Sequence, residues 1–269
     1  MDVQQQPVIT LTTDFGVMDS YVAQMKGVIL SINRDARVVD LSHDIEPQNI
    51  AQATRFIDEA SICFPPGTYH LIVVDPGVGT DRDILVGEIN EQFFVCPDNG
   101  ILTHLLRRFP NFHVETLNSQ SMTSDGTCSS TFHGRDLMAP AIANWSLGSR
   151  PATKLLEGQP VQLFAPEPQI HESGCAGNIV HIDHYGNLIS NIHRDHIPKH
   201  WQPAALQVRI APHEPWHLID HFAQSEPKSV AALIGSSGHL EVCRVNDNAA
   251  TFLELGVGAE ILLEWNPNE

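Results

Sequence analysis

Five stretches of this sequence set acidic, basic, hydroxyl and imidazole side chains beside turn-forming residues, the raw material of a site for small-molecule chemistry. The first is Thr12-Thr13-Asp14-Phe15-Gly16, which follows a β-branched apolar run. Asp14 therefore falls where a parallel strand would end, the edge at which α/β sheets collect ligands. An ionised carboxylate there suits a sugar diol, because its two oxygens accept hydrogen bonds from vicinal hydroxyls; an Asp in this position also serves as a helix cap or turn former. The second stretch runs from Val74 through Asp75-Pro76-Gly77-Val78-Gly79-Thr80-Asp81 to Arg82. Pro76 fixes φ, the glycines permit tight turns, and Asp75 and Arg82 bracket the loop. It lacks the Lys-Ser/Thr ending of a phosphate loop and the spacing of a dinucleotide fingerprint, so phosphate cradling is not expected. The competing reading is a structural turn closed by a surface ion pair.

The third stretch, Thr131-Phe132-His133-Gly134-Arg135-Asp136, directly precedes a helical pattern. His133 thus lies near a helix N-terminus, where the dipole disfavours imidazolium and backbone donors face a ligand. Among 15 histidines a single one is ordinarily structural, so His133 carries chemistry only if it meets Asp75 and Arg82. The last two stretches, Ile182-Asp183-His184-Tyr185-Gly186-Asn187 and Ile234-Gly235-Ser236-Ser237-Gly238-His239-Leu240-Glu241, read by themselves as hairpin loops.

Positioning the first three requires a sheet. Short apolar runs at Val8 to Thr12, Arg37 to Leu41, Tyr69 to Val74, Ile84 to Glu88, Phe93 to Cys96 and His113 to Leu117 read as strands. Tyr21 to Ile32, Asn49 to Ile62, Ile101 to Phe109 and Arg135 to Trp145 carry apolar residues at helical spacing between them. Alternation of this kind predicts an α/β domain whose mostly parallel sheet is covered by helices. Gly148 to Gly174 is rich in Pro, Gly and Gln and reads as a linker. Beyond it Asn178 to Asp183, Leu206 to Ile210, Val230 to Ile234, Leu240 to Val245 and Ala259 to Trp265 alternate with turns, which predicts a small antiparallel sheet or barrel. The expected division is 1–165 and 166–269.

Fifteen Lys and Arg against 32 Asp and Glu give a net charge of −17, which repels nucleic-acid phosphates and anionic membranes at long range. Five cysteines without a C-x-x-C pair argue against a disulfide framework and for a reducing compartment. Met1 to Gln6 has no basic start leading into an apolar stretch, and no run is long enough to span a bilayer, so a cytoplasmic protein is expected.

In order, these segments resemble the SAM hydroxide adenosyltransferase family, the S-adenosyl-L-methionine (SAM) hydrolases, which are related to fluorinating and chlorinating enzymes that act on SAM. The resemblance runs through Thr12 to Gly16, Met25-Lys26-Gly27-Val28, Asp40-Leu41-Ser42-His43, Val73 to Thr80, Pro97-Asp98-Asn99-Gly100, Phe132 to Asp136, Tyr185-Gly186-Asn187-Leu188-Ile189 and Ser236 to Leu240. It implies a Rossmann-like N-terminal domain followed by a C-terminal β-barrel-like domain, and hydrolysis of SAM to adenosine and L-methionine, with no cofactor and no metal, by a homotrimer whose active sites lie between subunits. It further implies a catalytic set at Asp75, Arg82 and His133, a ribose-holding carboxylate at Asp14, an adenine-packing aromatic at Tyr185, a base-binding Asn187, and contacts to methionine from Asp183 and Ser236. Many relatives carry x-Arg-Arg after the position of Thr80, whereas this chain has Asp81-Arg82-Asp83, so a paired cationic patch is lost. Halogenating relatives differ at the positions of Asp75 and His133 and carry an insertion absent here, which favours water over halide.

SAM needs no general acid, since its cationic sulfur leaves as neutral methionine. Water must be held in line with the C5′–S bond at roughly 3 to 3.5 Å. Arg82 and His133 are expected to orient it and favour a hydroxide-like form, with Asp75 fixing both. Three rival readings remain: a SAM-dependent halogenase of the same family, a non-catalytic SAM or adenosine binder, and a metal-dependent phosphohydrolase using Asp14, His43, Asp75, Asp98 and His133 as ligands.

Overall fold

The computed structural model describes residues 6–119, 128–202 and 205–266. It divides the chain into two compact units, Met1–Phe164 and Ala165–Glu269. The first contains β1 (Val8–Thr13), α1 (Tyr21–Ile32), β2 (Arg37–Ser42), α2 (Ile50–Ser61), β3 (Tyr69–Val73), β4 (Ile84–Ile89), β5 (Gln92–Pro97), α3 (Thr103–Arg108), β6 (Phe112–Leu117), a π-helical turn over Gly134–Met138, α4 (Ala139–Ser146) and β7 (Thr153–Lys154). Its sheet has the order β2-β1-β3-β5-β4-β6-β7. The first four strands in that order run parallel. Direction switches at β4, which returns to β5 through the two residues Asn90 and Glu91, both at positive φ. Such a primed hairpin turn matches strand twist, and two residues are far too few for a parallel crossover.

Alternation along the strands loads both faces of this sheet. Ile9, Leu11, Leu71 and Val73 pack with Met25, Ile29 and Ile142 from α1 and α4. Ile72, Val74, Phe94 and Cys96 point the other way and join Ile57, Leu102 and Leu105 from the α2 and α3 side. The resulting three layers leave the carboxyl tips of β1, β2, β3 and β5 along one edge.

Helical spacing reads Arg135 to Trp145 as one α-helix; the structure has instead a π turn followed by α4, with Ala139 N–H bonded to the Gly134 carbonyl. Pro140 offers no N–H for the α-helical bond to residue 136, so the chain widens by one residue ahead of it.

The second unit is antiparallel. It comprises β8 (Gln169–His171), β9 (Gly174–Ile182), β10 (Leu188–His193), β11 (Leu206–Arg209), β12 (Trp216–His217), β13 (Val230–Ile234), β14 (His239–Arg244), α5 (Ala249–Leu253) and β15 (Glu260–Trp265). The order is β12-β11-β15-β9-β10-β14-β13, with β8 on β9, and a Leu218–Ala232 bridge links the two ends into a nearly closed barrel. Leu188, Ile192, Val208, Leu240, Val242, Ile261 and Leu263 fill it. Sequence pattern missed β10 because Ser190 and Asn191 interrupt its apolar run. The Ser190 hydroxyl is buried against the Leu240 carbonyl, which satisfies it inside the ladder. α5, at five residues, is shorter than one helical period can reveal, and β7 and β8 lie within the segment read as linker. Among the described residues, no helix is long and apolar enough to cross a membrane.

One buried histidine belongs to the scaffold. His70 is fully buried on β3, with Nδ1 2.7 Å from Thr10 Oγ1 and its ring stacked on Phe94. Burial pushes its pKa down to about 4. The unfolded chain takes up this proton near 6.5 and the folded chain only near 4, so stability is full above 6.5 and declines as pH falls between those values, by about 3 kcal/mol in all. Urea unfolding at pH 7.5 and 4.5 should show this loss, and His70→Gln should remove most of it. An unaltered pH dependence in the variant would contradict the assignment.

Candidate active site

Asp75 follows the tip of β3, and Arg82 closes the loop just before β4. Arg82 Nε lies 3.0 Å from each oxygen of Asp75, and Nη2 donates to Oδ2 as well. The same Nη2 lies 3.1 Å from His133 Nδ1. Guanidinium has donors only, so Nδ1 must accept, and the neutral ring carries its proton on Nε2. The Asp75 side chain is 4% exposed and that of Arg82 11%. The pair is thus largely withdrawn from water, where removing one partner typically costs about 3–5 kcal/mol.

Two glycines make this meeting possible. Gly79 has φ +80°, and a Cβ there would come within 2.5 Å of the Ser130 carbonyl oxygen, so the loop carrying Asp75 lies directly on the strand of chain leading to His133. Gly134 begins the π turn, and its Cβ would stand 3.0 Å from Val73 at the end of β3. Asn99 donates its carboxamide N–H to the Val74 carbonyl at 2.9 Å, bracing the start of the loop. Asp136 is held below its ordinary pKa, first by the hydrogen bond from Arg135 and also by Ser129 N–H. It braces the approach to His133 and does not join the Asp75 group.

Burial lowers the pKa of His133, and the neighbouring Arg82 charge lowers it further; Asp75 and Asp136 pull in the opposite direction without overcoming this. The imidazole therefore stays neutral to lower pH than an ordinary histidine.

Asp14 stands one residue beyond β1 on the same edge. Its Oδ2 accepts from Gln48 N–H at 2.8 Å. Phe15 packs edge-on to Phe132 with ring centroids 5.8 Å apart, and Tyr21 contacts both, which sets the Asp14 turn beside the His133 turn. Gln48, at φ +65°, was not legible in the sequence, since its part is played by a backbone N–H that any residue type would supply.

In the second unit Asp183, Tyr185 and Asn187 share the turn between β9 and β10. Asp183 Oδ1 accepts from the N–H groups of Tyr185 and Asn187, and Oδ2 accepts from the Asn187 side chain. Asp183 thereby builds the turn, Asn187 is buried in it, and Tyr185 stands 75% exposed. Gly186, at φ +84°, could carry no side chain, because its Cβ would fall 2.2 Å from Asn248. Ser236 lies exposed on the β13–β14 turn, where Gly235 abuts the Glu241 carboxylate. The ladder pairs Leu188 with Val242 and His193 with His239. The two turns consequently lie at opposite ends of the β10–β14 pair, roughly 15–20 Å apart by strand rise.

The five residues weighed as metal ligands divide differently. Asp75 and His133 both face Arg82, and Asp98 Oδ1 accepts from Val161 N–H at 2.8 Å. Among the described residues, no group of three or more His, Cys, Asp or Glu is arranged to hold a metal ion. A cleft of about 1210 Å³ opens at the opposite edge of the sheet, beside Pro7, Asn33, Thr68 and Tyr69, and its lining includes none of the residues above.

The tautomer and the depressed pKa are both measurable. Long-range ¹⁵N–¹H spectra at pH 7 should show His133 protonated at Nε2, titrating below 6.5, and Arg82→Gln should raise that pKa. A proton found on Nδ1 would refute the arrangement.

Comparison with known proteins adds a separate line of evidence. The family model described as the SAM hydroxide adenosyltransferase N-terminal domain matches residues 9–155, and that of the C-terminal domain matches residues 177–262. A relative from Methanocaldococcus jannaschii, named (R)-S-adenosyl-L-methionine hydrolase, is 31% identical over 263 residues, covering 94% of each chain. A fluorinase from Actinopolyspora mzabensis is 28% identical and covers 73% of this chain and 75% of its own. A crystal structure of a conserved protein from Thermotoga maritima superposes with a TM-score of 0.85 at 30% identity, over 95% of this chain and 99% of that one. With both domain models spanning most of its length, the chain belongs to the SAM hydroxide adenosyltransferase family.

Proposed function

We propose that this protein hydrolyses SAM to adenosine and L-methionine. The observation that carries the reading is the junction of Asp75, Arg82 and His133, in which a buried guanidinium joins a carboxylate to a neutral imidazole. The names of relatives about 30% identical along nearly the whole chain support the substrate.

In this reading water attacks C5′ as the C5′–S bond breaks, the bonding pair stays on sulfur, and the proton from water leaves to solvent. Arg82 and the Nε2–H of His133 present positive charge and a donor to an oxygen becoming hydroxide, and so lower the cost of deprotonating it. His133 is a poor base at Nδ1, since Arg82 already occupies that lone pair. Asp75 keeps the guanidinium oriented and offsets the desolvation of its charge. Asp14 takes the ribose diol. Tyr185 and Asn187 are assigned to adenine, and Asp183 and Ser236 to methionine. No metal or cofactor enters the reaction, and the working unit is a homotrimer.

The fluorinase likeness motivates a second reading in which halide replaces water. One experiment separates the two. Purified protein incubated with SAM in EDTA should release adenosine, and added chloride or fluoride should yield no 5′-halogenated nucleoside. Asp75→Ala and His133→Ala should each lower kcat by about 100-fold or more. Wild-type turnover in either variant, or loss of activity on chelation, would defeat the proposal. Sedimentation at micromolar concentration should give three times the monomer mass.

A further inference from the structure

A series of polar contacts, buried at Thr13 and His43 and reaching the surface at Asp40, lies against Asp14, and the proposed reaction makes no use of it. Lys26 Nζ donates to Asp40 Oδ2 at 2.6 Å. His43 Nε2 lies 3.0 Å from Asp40 Oδ1, off the hydrogen-bond axis but within ion-pair reach. On the far side of the ring, His43 Nδ1 is 2.8 Å from Thr13 Oγ1, and that oxygen accepts from Phe15 N–H at 3.3 Å. Burial alone would raise the pKa of Asp40, yet Lys26 and His43 hold it below its ordinary value, so the carboxylate stays ionised. The Asp40 carboxylate favours a ring proton on the nitrogen that faces it, Nε2, and in the neutral ring Nδ1 then accepts from the Thr13 hydroxyl. The two hydrogen bonds then point one way, from Phe15 N–H through the Thr13 hydroxyl to His43, whose Nε2 faces the Asp40 carboxylate.

The backbone of the same histidine completes the grip, since its carbonyl accepts from Gly16 N–H at 2.8 Å. Thr13 and Gly16 are tied directly to one imidazole-bearing residue whose side chain is 4% exposed, and Phe15 is tied to it through Thr13. Asp14 sits among these three, with one oxygen taken by Gln48 N–H. The turn needs such bracing. Gly16 has φ +66° and no Cβ to restrict it, and a carboxylate that grips two vicinal hydroxyls loses its advantage if it swings by a few tenths of an ångström.

We propose, on the basis of the SAM and adenosine reading above, that His43 is a positioning residue for diol recognition, fixing the Thr13–Gly16 turn so that Asp14 meets both ribose hydroxyls. A purely structural role for this network predicts that its loss weakens all ligands alike. A positioning role predicts a loss confined to ligands that carry the diol.

The experiment is calorimetric binding of adenosine and of 2′,3′-dideoxyadenosine to the full-length protein and three variants. Wild type should prefer adenosine by at least about 100-fold, because a site built around hydroxyls rejects analogues lacking them. His43→Ala and Thr13→Val should cut the preference to about 10-fold or less while leaving dideoxyadenosine affinity within about twofold. His43→Asn, whose carboxamide oxygen can stand in for Nδ1, should recover most of it. Thr13→Val keeps the side-chain shape and serves if His43→Ala does not fold. An intact preference in both disruptive variants, or equal weakening of both nucleosides, overturns the positioning role and leaves the SAM reading standing. A wild-type protein that binds neither nucleoside overturns the positioning role and the SAM reading together.

Discussion

Arg82 places one positive charge where two segments 51 residues apart must meet. Among the described residues it is Arg82 that bonds to both Asp75 and His133, and the consequences spread outward. Because the guanidinium can only donate, it determines which nitrogen of His133 holds a proton. Because it is buried with Asp75, neither group can be removed without stranding a charge in a poorly solvated place. Arg82 also helps hold the imidazole neutral, so His133 offers a donor at Nε2 rather than a second positive charge.

Local backbone chemistry serves that meeting. Gly79 lets the loop lie against the Ser130 carbonyl, and Gly134 lets the π turn seat on Val73. Pro140 withholds an N–H where an α-helix would need one, and the turn ahead of it opens to an i to i−5 bond just after His133. The hairpin at Asn90 and Glu91 has the complementary effect on the sheet: by reversing β4 it confines the parallel strand tips to β2, β1, β3 and β5, and Asp14, His43, Asp75 and Asp98 all follow those four tips.

The second unit uses its polar residues differently. Asp183 takes three hydrogen bonds within its own turn, which fixes the exposed ring of Tyr185 and buries Asn187. Its carboxylate is therefore a builder of the turn before it is anything to a ligand. Ser236 sits at the far end of the neighbouring strand pair, beside the buried Glu241.

The alternation of apolar runs with helical periods, the switch to turn-punctuated strands after Gly174, and the clustering of Asp14, Asp75, Arg82 and His133 beside turns were all legible in the residue order, because strand and helix periodicity and the needs of Gly and Pro are local properties. β10 was not, since the polarity of Ser190 is cancelled only by the Leu240 carbonyl of another strand. The π turn was hidden because helical spacing cannot register one extra residue. Gln48, whose contribution is a backbone N–H, and His43, whose ring spans Thr13 and Asp40, acquire their roles only when β1 and β2 pair. Residue types and their spacing determined which groups were available. Tertiary structure decided which of them touch, because a hydrogen bond depends on distances of about 3 Å between atoms whose separation along the chain says nothing of their separation in space.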